Sequence, residues 1–353
     1  MRIGLIAPPW VPVPPPAYGG TEAVVDNLAR GLAALGHEVR LFTVGESTCP
    51  VRREHLYERP FTPIGVAVPE AAHVLAAYDA LADVDIIHDH TALGPLIGPR
   101  EDGPPVVSTC HGPFDEMNHR NIAAFADRVW VVAISHAQKR FGAPIPISAV
   151  IHHGIDLDTY RYGDGGGGYL MWIGRMCADK GPHRALEVAR AAGRKLVMVS
   201  KIREDAERAF YEQQVRPLLG SGDPEPLELP AAERVRLLRR ADALLNPIDW
   251  PEPFGLVMAE ALACGTPVLA FPHGAAPEIV DHGRTGFLCA DRAAMREAVE
   301  RIASIDRRAC RAAVERRFSL ARMARDHVAL YQRILHSTRR PSIRGVVAAT
   351  GVA

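Results

Sequence analysis

The feature that most constrains this chain is a regular alternation of short apolar runs with longer amphipathic ones. Residues 2–7 (RIGLIA) form a first strand-like run. Residues 21–35 follow with apolar side chains at 24, 25, 28, 32 and 35, the spacing of one helix face, and Gly36 closes the segment. Residues 39–44 read as the next strand, with later strands at 86–88, 106–109, 129–134 and 149–151. Apolar strands separated by helices predict a parallel sheet covered on both faces. The alternation stops at residues 163–168 (GDGGGG), a run that favours neither helix nor strand and reads as a flexible hinge. It then restarts, with strands at 169–173, 195–200, 243–246 and 267–271. Helices are expected at 182–192, 235–241, 255–263, 293–304 and 320–335. At 353 residues the chain also exceeds what one hydrophobic core usually serves, so two α/β domains are expected. Ligands of such sheets sit at the carboxyl ends of the strands, and two such domains would hold a substrate in the cleft between them.

Composition narrows the function. Apolar residues make up 48% and charged residues 23%, the range of folded globular proteins. Lys plus Arg is 41 and Asp plus Glu is 41, which argues against a dedicated nucleic-acid binder, since that task needs a basic surface. No apolar run is long enough to span a membrane, and Pro8 and Pro9 interrupt the N-terminal stretch too early for a signal peptide. The six cysteines (49, 110, 177, 264, 289 and 310) are scattered without a C-x-x-C pair, as expected of reduced thiols in a cytoplasm.

The most informative segment is 250–280, WPEPFGLVMAEALACGTPVLAFPHGAAPEIV. Glu252 and Glu260 are separated by seven residues, with Pro253, Phe254 and Gly255 just before a helix. The free N–H groups of residues 254–257 at that helix end can receive a phosphate, aided by the helix dipole. A carboxylate only accepts hydrogen bonds and can bridge two vicinal hydroxyls. Glu252 before the helix and Glu260 two turns in would thus face two different sugars, with a phosphate between them. That is the outline of a sugar nucleotide. An ordinary amphipathic helix with exposed glutamates would account for the Glu pair alone, but not for the flanking residues.

This segment resembles the E-x7-E signature of retaining glycosyltransferases of family 4, which have the GT-B fold. Tyr18-Gly19-Gly20-Thr21-Glu22 is similar to the family's Gly-rich first loop, Ile87-His88-Asp89-His90 to a strand end, and Cys110-His111-Gly112 to its histidine loop. Ile134-Ser135-His136 and His153-Gly154-Ile155-Asp156 also match, as do Ile173-Gly174-Arg175 and Asp179-Lys180-Gly181, which resemble its phosphate-binding loop. The matches keep the family's order from residue 3 to about 335. The opening loop and compact length look most like the small-molecule and antibiotic glycosyltransferases of the family.

The resemblance implies an α/β GT-B architecture of two Rossmann-like domains, with an acceptor-binding domain at 1–163 and a linker at 164–168. A nucleotide-sugar domain would span 169–319, a terminal helix at 320–336 would pack back on the first domain, and 337–353 would be a disordered tail. It implies that Arg175 and Lys180 neutralise the diphosphate. Independent chemistry agrees, because a leaving diphosphate needs positive charge, and Lys180 is one of only four lysines. Glu252 would hold sugar hydroxyls, Glu260 the ribose, and the backbone of Phe254, Gly255, Leu256 and Val257 the diphosphate and sugar. Gly20 would let the first loop approach the donor phosphate. His111, after an apolar strand, would lie beside the anomeric carbon, so His111 and Glu252 are the expected catalytic residues. Tyr18, Asp89 and His90 are assigned to the acceptor pocket. His88, Asp89 and His90 do not read as a metal site, because neighbours on a strand point to alternate faces. No D-x-D segment stands at a strand's carboxyl end, so no metal or other cofactor is expected.

The expected reaction is transfer of a hexose from a UDP-sugar, such as UDP-glucose, to a small-molecule or glycan acceptor. Retention would follow from front-face displacement, with the leaving diphosphate taking the acceptor's proton. A glycosidase reading of the Glu pair is set aside, since in the family both bind the donor. Alternatives are a GT-B sugar-nucleotide epimerase, which the P-F-G-L context disfavours, and a binding protein that has lost catalysis. A nicotinamide oxidoreductase would need G-x-G-x-x-G after the first strand, which is absent. In place of a Gly-containing strand that supports the nucleobase pocket in the family, this chain has Leu227-Glu228-Leu229-Pro230. Residues 1–163 carry 12 basic and 18 acidic groups, a poor match for an anionic membrane surface, which points to a soluble acceptor.

Overall fold

A computed structural model describes residues 1–17 and 19–337. Tyr18 and the tail beyond 337, both given expectations above, lie outside the described residues. The chain divides into two compact units, residues 1–154 with 320 onward, and Ile155–Ser319.

The first unit holds strands β1 (Arg2–Ile6), β2 (Glu38–Thr43), β3 (Arg52–His55), β4 (Ile86–Asp89), β5 (Val106–Thr109), β6 (Trp130–Ala133) and β7 (Ile147–Val150). They form one parallel sheet in the order β3-β2-β1-β4-β5-β6-β7. The central β1 is buried from Ile3 onward and pairs Ile3 with both Val39 and Ile86. Its helices are α1 (Gly20–Ala34), α2 (Ala67–Ala80), α3 (Gly94–Ile97), α4 (Glu116–Ala123) and α5 (His136–Phe141). Gly36, at φ +81°, ends α1 in the left-handed conformation that a side chain would disfavour.

The second unit has β8 (Tyr169–Ile173), β9 (Lys195–Val199), β10 (Ala243–Asn246), β11 (Val268–Ala270) and β12 (Gly286–Leu288). These form a parallel sheet in the order β12-β11-β10-β8-β9. Helices α6 (Pro182–Ala191), α7 (Asp205–Phe210), α8 (Ala231–Arg240), α9 (Leu256–Ala263), α10 (Ala276–Ile279), α11 (Arg292–Glu300) and α12 (Arg307–Arg317) accompany it. Here α9 packs on α12 and α6 on α11. The last helix, α13 (Leu320–His336), belongs to the first unit and packs on α1. Gly31 permits this approach, because a Cβ there would lie 2.8 Å from the Ala324 Cβ.

Three expectations change. The division falls at residues 154 and 155, not at the Gly-rich run. That run is fastened to the second unit: Gly163, Gly165 and Gly167 donate to the carbonyls of Cys264, Arg239 and Arg240 at 3.1, 3.1 and 2.8 Å. Its glycines serve close contact with α8, since a Cβ on Gly163 would lie 2.5 Å from the Arg239 carbonyl oxygen. Second, α13 brings Arg322, Arg325 and Arg333 against a single Asp326 to the first unit, which reduces the acidic excess read from residues 1–163. Third, β3 and α2 were not foreseen. The polar sequence of β3 suits an edge strand. Pro69 interrupts the apolar pattern of α2 but sits in its first turn, where proline is tolerated.

Candidate functional site

In the second unit, the candidate donor site forms where the loops after β8 and β10 meet at the carboxyl end of the sheet. The Asp249 N–H donates to the Asp179 carbonyl at 3.0 Å. The Arg184 guanidinium donates to the carbonyls of Pro247 (2.9 Å), Ala178 (2.9 Å) and Asp179 (3.3 Å), lacing the two loops together. This places the Lys180 ammonium in an ion pair with the Glu252 carboxylate, both side chains only about 15% exposed. The same ammonium lies 5.1 Å from the centre of the Trp250 ring, a cation–π contact. The Trp250 indole N–H is buried without a partner among the described residues. Arg175 stands on the same loop after β8, is exposed, and lies within the field of Glu204.

Glu252 is held from behind as well. The Ala275 N–H donates to its carbonyl at 2.9 Å, and Gly274, at φ +56°, packs so closely that a Cβ would lie 2.2 Å from the same oxygen. Gly255, at φ +89°, is the N-cap of α9. Leu256 and Val257, half-buried, form the first turn, whose N–H groups helix geometry leaves available to a ligand. Phe254 is buried edge-on against Phe318 at 5.9 Å, so only its backbone can serve a donor. Glu260 lies in the second turn of α9 and is almost fully buried. Tyr160, a residue that sequence reasoning did not single out, lies within the field of its carboxylate. At the end of β9, Leu227 exchanges hydrogen bonds with Met198 and Ser200, both at 2.9 Å. The segment that lacks the family's glycine thus still adds a bridge beside β9.

In the first unit, the strand ends bring together a histidine cluster. His88 on β4 and His90 just after it have ring centres 4.2 Å apart. His90 Nδ1 and His111 Nε2 are hydrogen-bonded at 2.9 Å, and His111 stacks on His153 at 5.2 Å. His327 of α13 completes the group, 5.1 Å from His88. Both nitrogens of His88 are committed, Nδ1 to the Tyr331 hydroxyl (2.6 Å) and Nε2 to Thr109 Oγ1 (2.8 Å). Burial holds the cluster neutral at pH 7: His111 and His327 are lowered to about 4, and His88, His90 and His153 fall well below their ordinary value. Gln138, buried on α5, donates to the carbonyls of Cys110 (2.9 Å) and Gly112 (2.7 Å) and thereby fixes the loop bearing His111. Gln138 also went unmarked in the sequence reading, for its only signal is a polar residue on a buried helix face.

Of the residues assigned to the acceptor pocket, Asp89 and His90 are both buried. Strand alternation turns Asp89 to the face opposite His88 and His90. Its carboxylate is fully buried and accepts from the Tyr78 hydroxyl (2.9 Å), the Thr91 N–H (2.8 Å) and Thr91 Oγ1 (2.7 Å). Burial raises it to about 6. Asp89 therefore shapes the loop after β4. His90 is 5% exposed and orients His111; its Nε2 has no partner among the described residues. Gly20 opens α1 at an exposed position. Below it Glu22 is buried, which raises its carboxyl to about 7. Among the described residues no group of three or more His, Cys, Asp or Glu side chains is arranged to hold a metal ion, and no helix is long and apolar enough to cross a membrane.

Comparison with known proteins places this arrangement. Residues 18–159 match the model of Glycosyltransferase Family 4, and residues 164–315 that of Glycosyl transferases group 1. The chain is 27% identical to a D-inositol 3-phosphate glycosyltransferase of Thermomonospora curvata, covering 76% of this chain and 78% of that protein. It is also 27% identical to a phosphatidyl-myo-inositol mannosyltransferase of Propionibacterium freudenreichii, over 76% and 77% of the two chains. Among solved structures, AviGT4, a glycosyltransferase involved in avilamycin A biosynthesis, superposes with a TM-score of 0.72 at 27% identity, over 95% of this chain and 98% of the other. HepE of Anabaena, solved with UDP and glucose, shares the fold at a TM-score of 0.76 and 18% identity, over 94% and 100% of the chains. The chain belongs to glycosyltransferase family 4, has the GT-B fold, and is a glycosyltransferase.

Proposed function

We propose that this glycosyltransferase moves a hexose from a UDP-sugar, with UDP-glucose the first candidate, to a soluble small-molecule acceptor with retention at the anomeric carbon. The observation that carries the reading is the Lys180–Glu252 pair beside the first turn of α9, with Glu260 one turn further along the same helix. In this reading the diphosphate binds the N–H groups of Leu256 and Val257 and takes the Lys180 ammonium from Glu252. The freed Glu252 carboxylate accepts hydrogen bonds from the hexose, and Glu260 accepts them from the ribose. Arg175 adds charge on the phosphate side.

As the glycosidic bond to the diphosphate breaks, negative charge collects on the departing oxygen. Lys180, Arg175 and the helix terminus stabilise it more than they stabilise the intact donor, which lowers the barrier. The acceptor hydroxyl attacks from the same face and passes its proton to the leaving diphosphate. The reading calls for no divalent metal. His111, neutral because buried, can exchange hydrogen bonds with a hydroxyl without bringing a charge to it. His90 and Gln138 hold it in place. The relative named for D-inositol 3-phosphate supports a polyhydroxylated water-soluble acceptor.

The test is a panel of UDP-, GDP-, ADP- and dTDP-sugars, scored by thermal shift and by slow donor hydrolysis, with the released sugar's anomer followed by NMR. UDP-sugars should stabilise the protein and release the sugar first with retained configuration. No response to any donor, or an inverted product, would refute the reading.

A further inference from the structure

The fold secures Lys180 at both ends. The buried Trp172 of β8 donates its indole N–H to the Lys180 carbonyl at 3.0 Å. Gly174 makes room for this, because a Cβ there would lie 2.9 Å from the Trp172 ring and 3.4 Å from the Lys180 Cβ. Gly181, at φ +68°, then turns the chain into α6 against the next loop, where a Cβ would lie 2.5 Å from the Pro247 carbonyl oxygen. At the far end of the side chain, the ammonium is paired with Glu252 and lies over the Trp250 ring, 5.1 Å from its centre. The Glu252 N–H donates to the Trp250 carbonyl at 2.8 Å, so one tight turn brings both the carboxylate and the ring to the same ammonium. Trp250 is half-buried, and its indole N–H has no partner among the described residues. A buried indole N–H usually finds a hydrogen bond, so this ring is placed by its face and not by its N–H.

We propose that Trp250 is a positioning residue for Lys180: its ring keeps the ammonium in the donor site while Glu252 gives way to the diphosphate, and so sets the preference for nucleoside diphosphates over monophosphates. The proposal rests on the reading of Lys180 as the cation that meets the diphosphate. Glu252 and Trp250 hold the same ammonium in different ways. A carboxylate neutralises the charge and competes with a phosphate for it. A π face attracts the cation through its quadrupole and carries no net charge, so the ammonium keeps its full charge for the ligand. Without the ring, the flexible lysine stem can swing into water in the free protein but not in the complex. A weakened contact therefore costs the complex more than the free protein. For a partly desolvated cation–π contact this corresponds to about 3- to 10-fold in affinity. UMP lacks the terminal phosphate and serves as the reference.

The experiment titrates UDP and UMP by calorimetry on the full chain, for wild type, Lys180→Ala, Trp250→Leu and a series in which Trp250 alone is replaced by mono-, di- and trifluorotryptophan. Fluorine withdraws electrons from the ring face and leaves its shape nearly unchanged, so the series weakens the cation–π contact in steps without opening a cavity. The preference for UDP over UMP should fall with each fluorine, to about 3- to 10-fold below wild type, with UMP affinity within about twofold. Trp250→Leu should lose at least as much, with its folding checked by thermal midpoint. If Lys180→Ala lowers the preference while the fluorinated proteins keep that of wild type, the positioning role is overturned and the Lys180 assignment stands. If Lys180→Ala leaves the preference unchanged, the reading of Lys180 itself fails, and the proposal with it. A loss in Trp250→Leu that the fluorinated proteins do not share would also overturn it, since the ring would then act through its shape alone.

Discussion

Replacing Glu252 with glutamine should improve the binding of UDP while impairing transfer of the sugar. Without ligand, the Lys180 ammonium is held by Glu252, with side-chain exposures of 15% and 14%. A diphosphate gains that ammonium only by separating the pair. Two unit charges about 4 Å apart at an effective dielectric near 20 attract by about 4 kcal/mol, an upper bound. The remaining exposure screens the pair, and a glutamine oxygen still accepts from Lys180. The competition removed is therefore about 1–2 kcal/mol, or about 5- to 30-fold in UDP affinity. The sugar hydroxyls meanwhile lose a charged acceptor, about 1.5–3 kcal/mol, so turnover of UDP-glucose should fall about 10- to 150-fold. Lys180→Ala should weaken both UDP binding and turnover. Calorimetry with UDP and the rate of UDP-glucose hydrolysis separate these effects. If Glu252→Gln folds normally and binds UDP no better than wild type while Lys180→Ala weakens it, the ion pair does not restrain Lys180, and the reasoning fails.

Two further predictions follow from burial and backbone geometry. Stability should decline as pH falls from about 6.5 toward 4. His111 and His327 ionise near 4 when folded, against 6.5 ordinarily, so the unfolded chain binds more protons in that window and acid favours unfolding. Asp89 and Glu22, raised to about 6 and about 7, act in the opposite sense, but two carboxyls face five clustered imidazoles. His327 alone contributes on the order of 3 kcal/mol at neutral pH; its replacement by phenylalanine should flatten the fall in thermal midpoint between pH 7 and 5, and an unaltered slope would contradict the assignment. Gly255→Ala and Gly274→Ala each force a side chain into positive φ, at a cost of about 1–2 kcal/mol. At Gly255 the new Cβ meets only the mobile end of Met258, at 2.5 Å, whereas at Gly274 it meets Glu252 main-chain atoms at 2.2 and 2.4 Å. Gly274→Ala should therefore lower the thermal midpoint further and abolish UDP-glucose turnover, with Gly255→Ala retaining a measurable rate; equal losses would refute the distinction.

Much of the fold could be read from local pattern. Strands such as β1, β5, β8 and β10 are apolar runs, and α1, α6 and α13 carry a helical period, so their type and order follow from neighbours in the chain. Elements whose pattern is set by distant surroundings were missed. The charges of β3 are explained by its place at a sheet edge, and Pro69 of α2 by its place in a first turn. The run at 163–168 looked like a hinge because glycine permits flexibility, but here its glycines admit the close approach of α8.

The candidate site divides along the same line. Residue types, order and spacing identified Arg175, Lys180, Glu252, Glu260 and His111, because their chemistry is carried in short contiguous motifs. Only the tertiary structure showed that Lys180 is paired with Glu252, and that His153 and His327 join His90 and His111. It also turned Asp89 away into the protein interior. A motif specifies which groups are present. Their partners, charge state and freedom to move depend on residues up to hundreds of positions away, brought close by sheet order and helix packing.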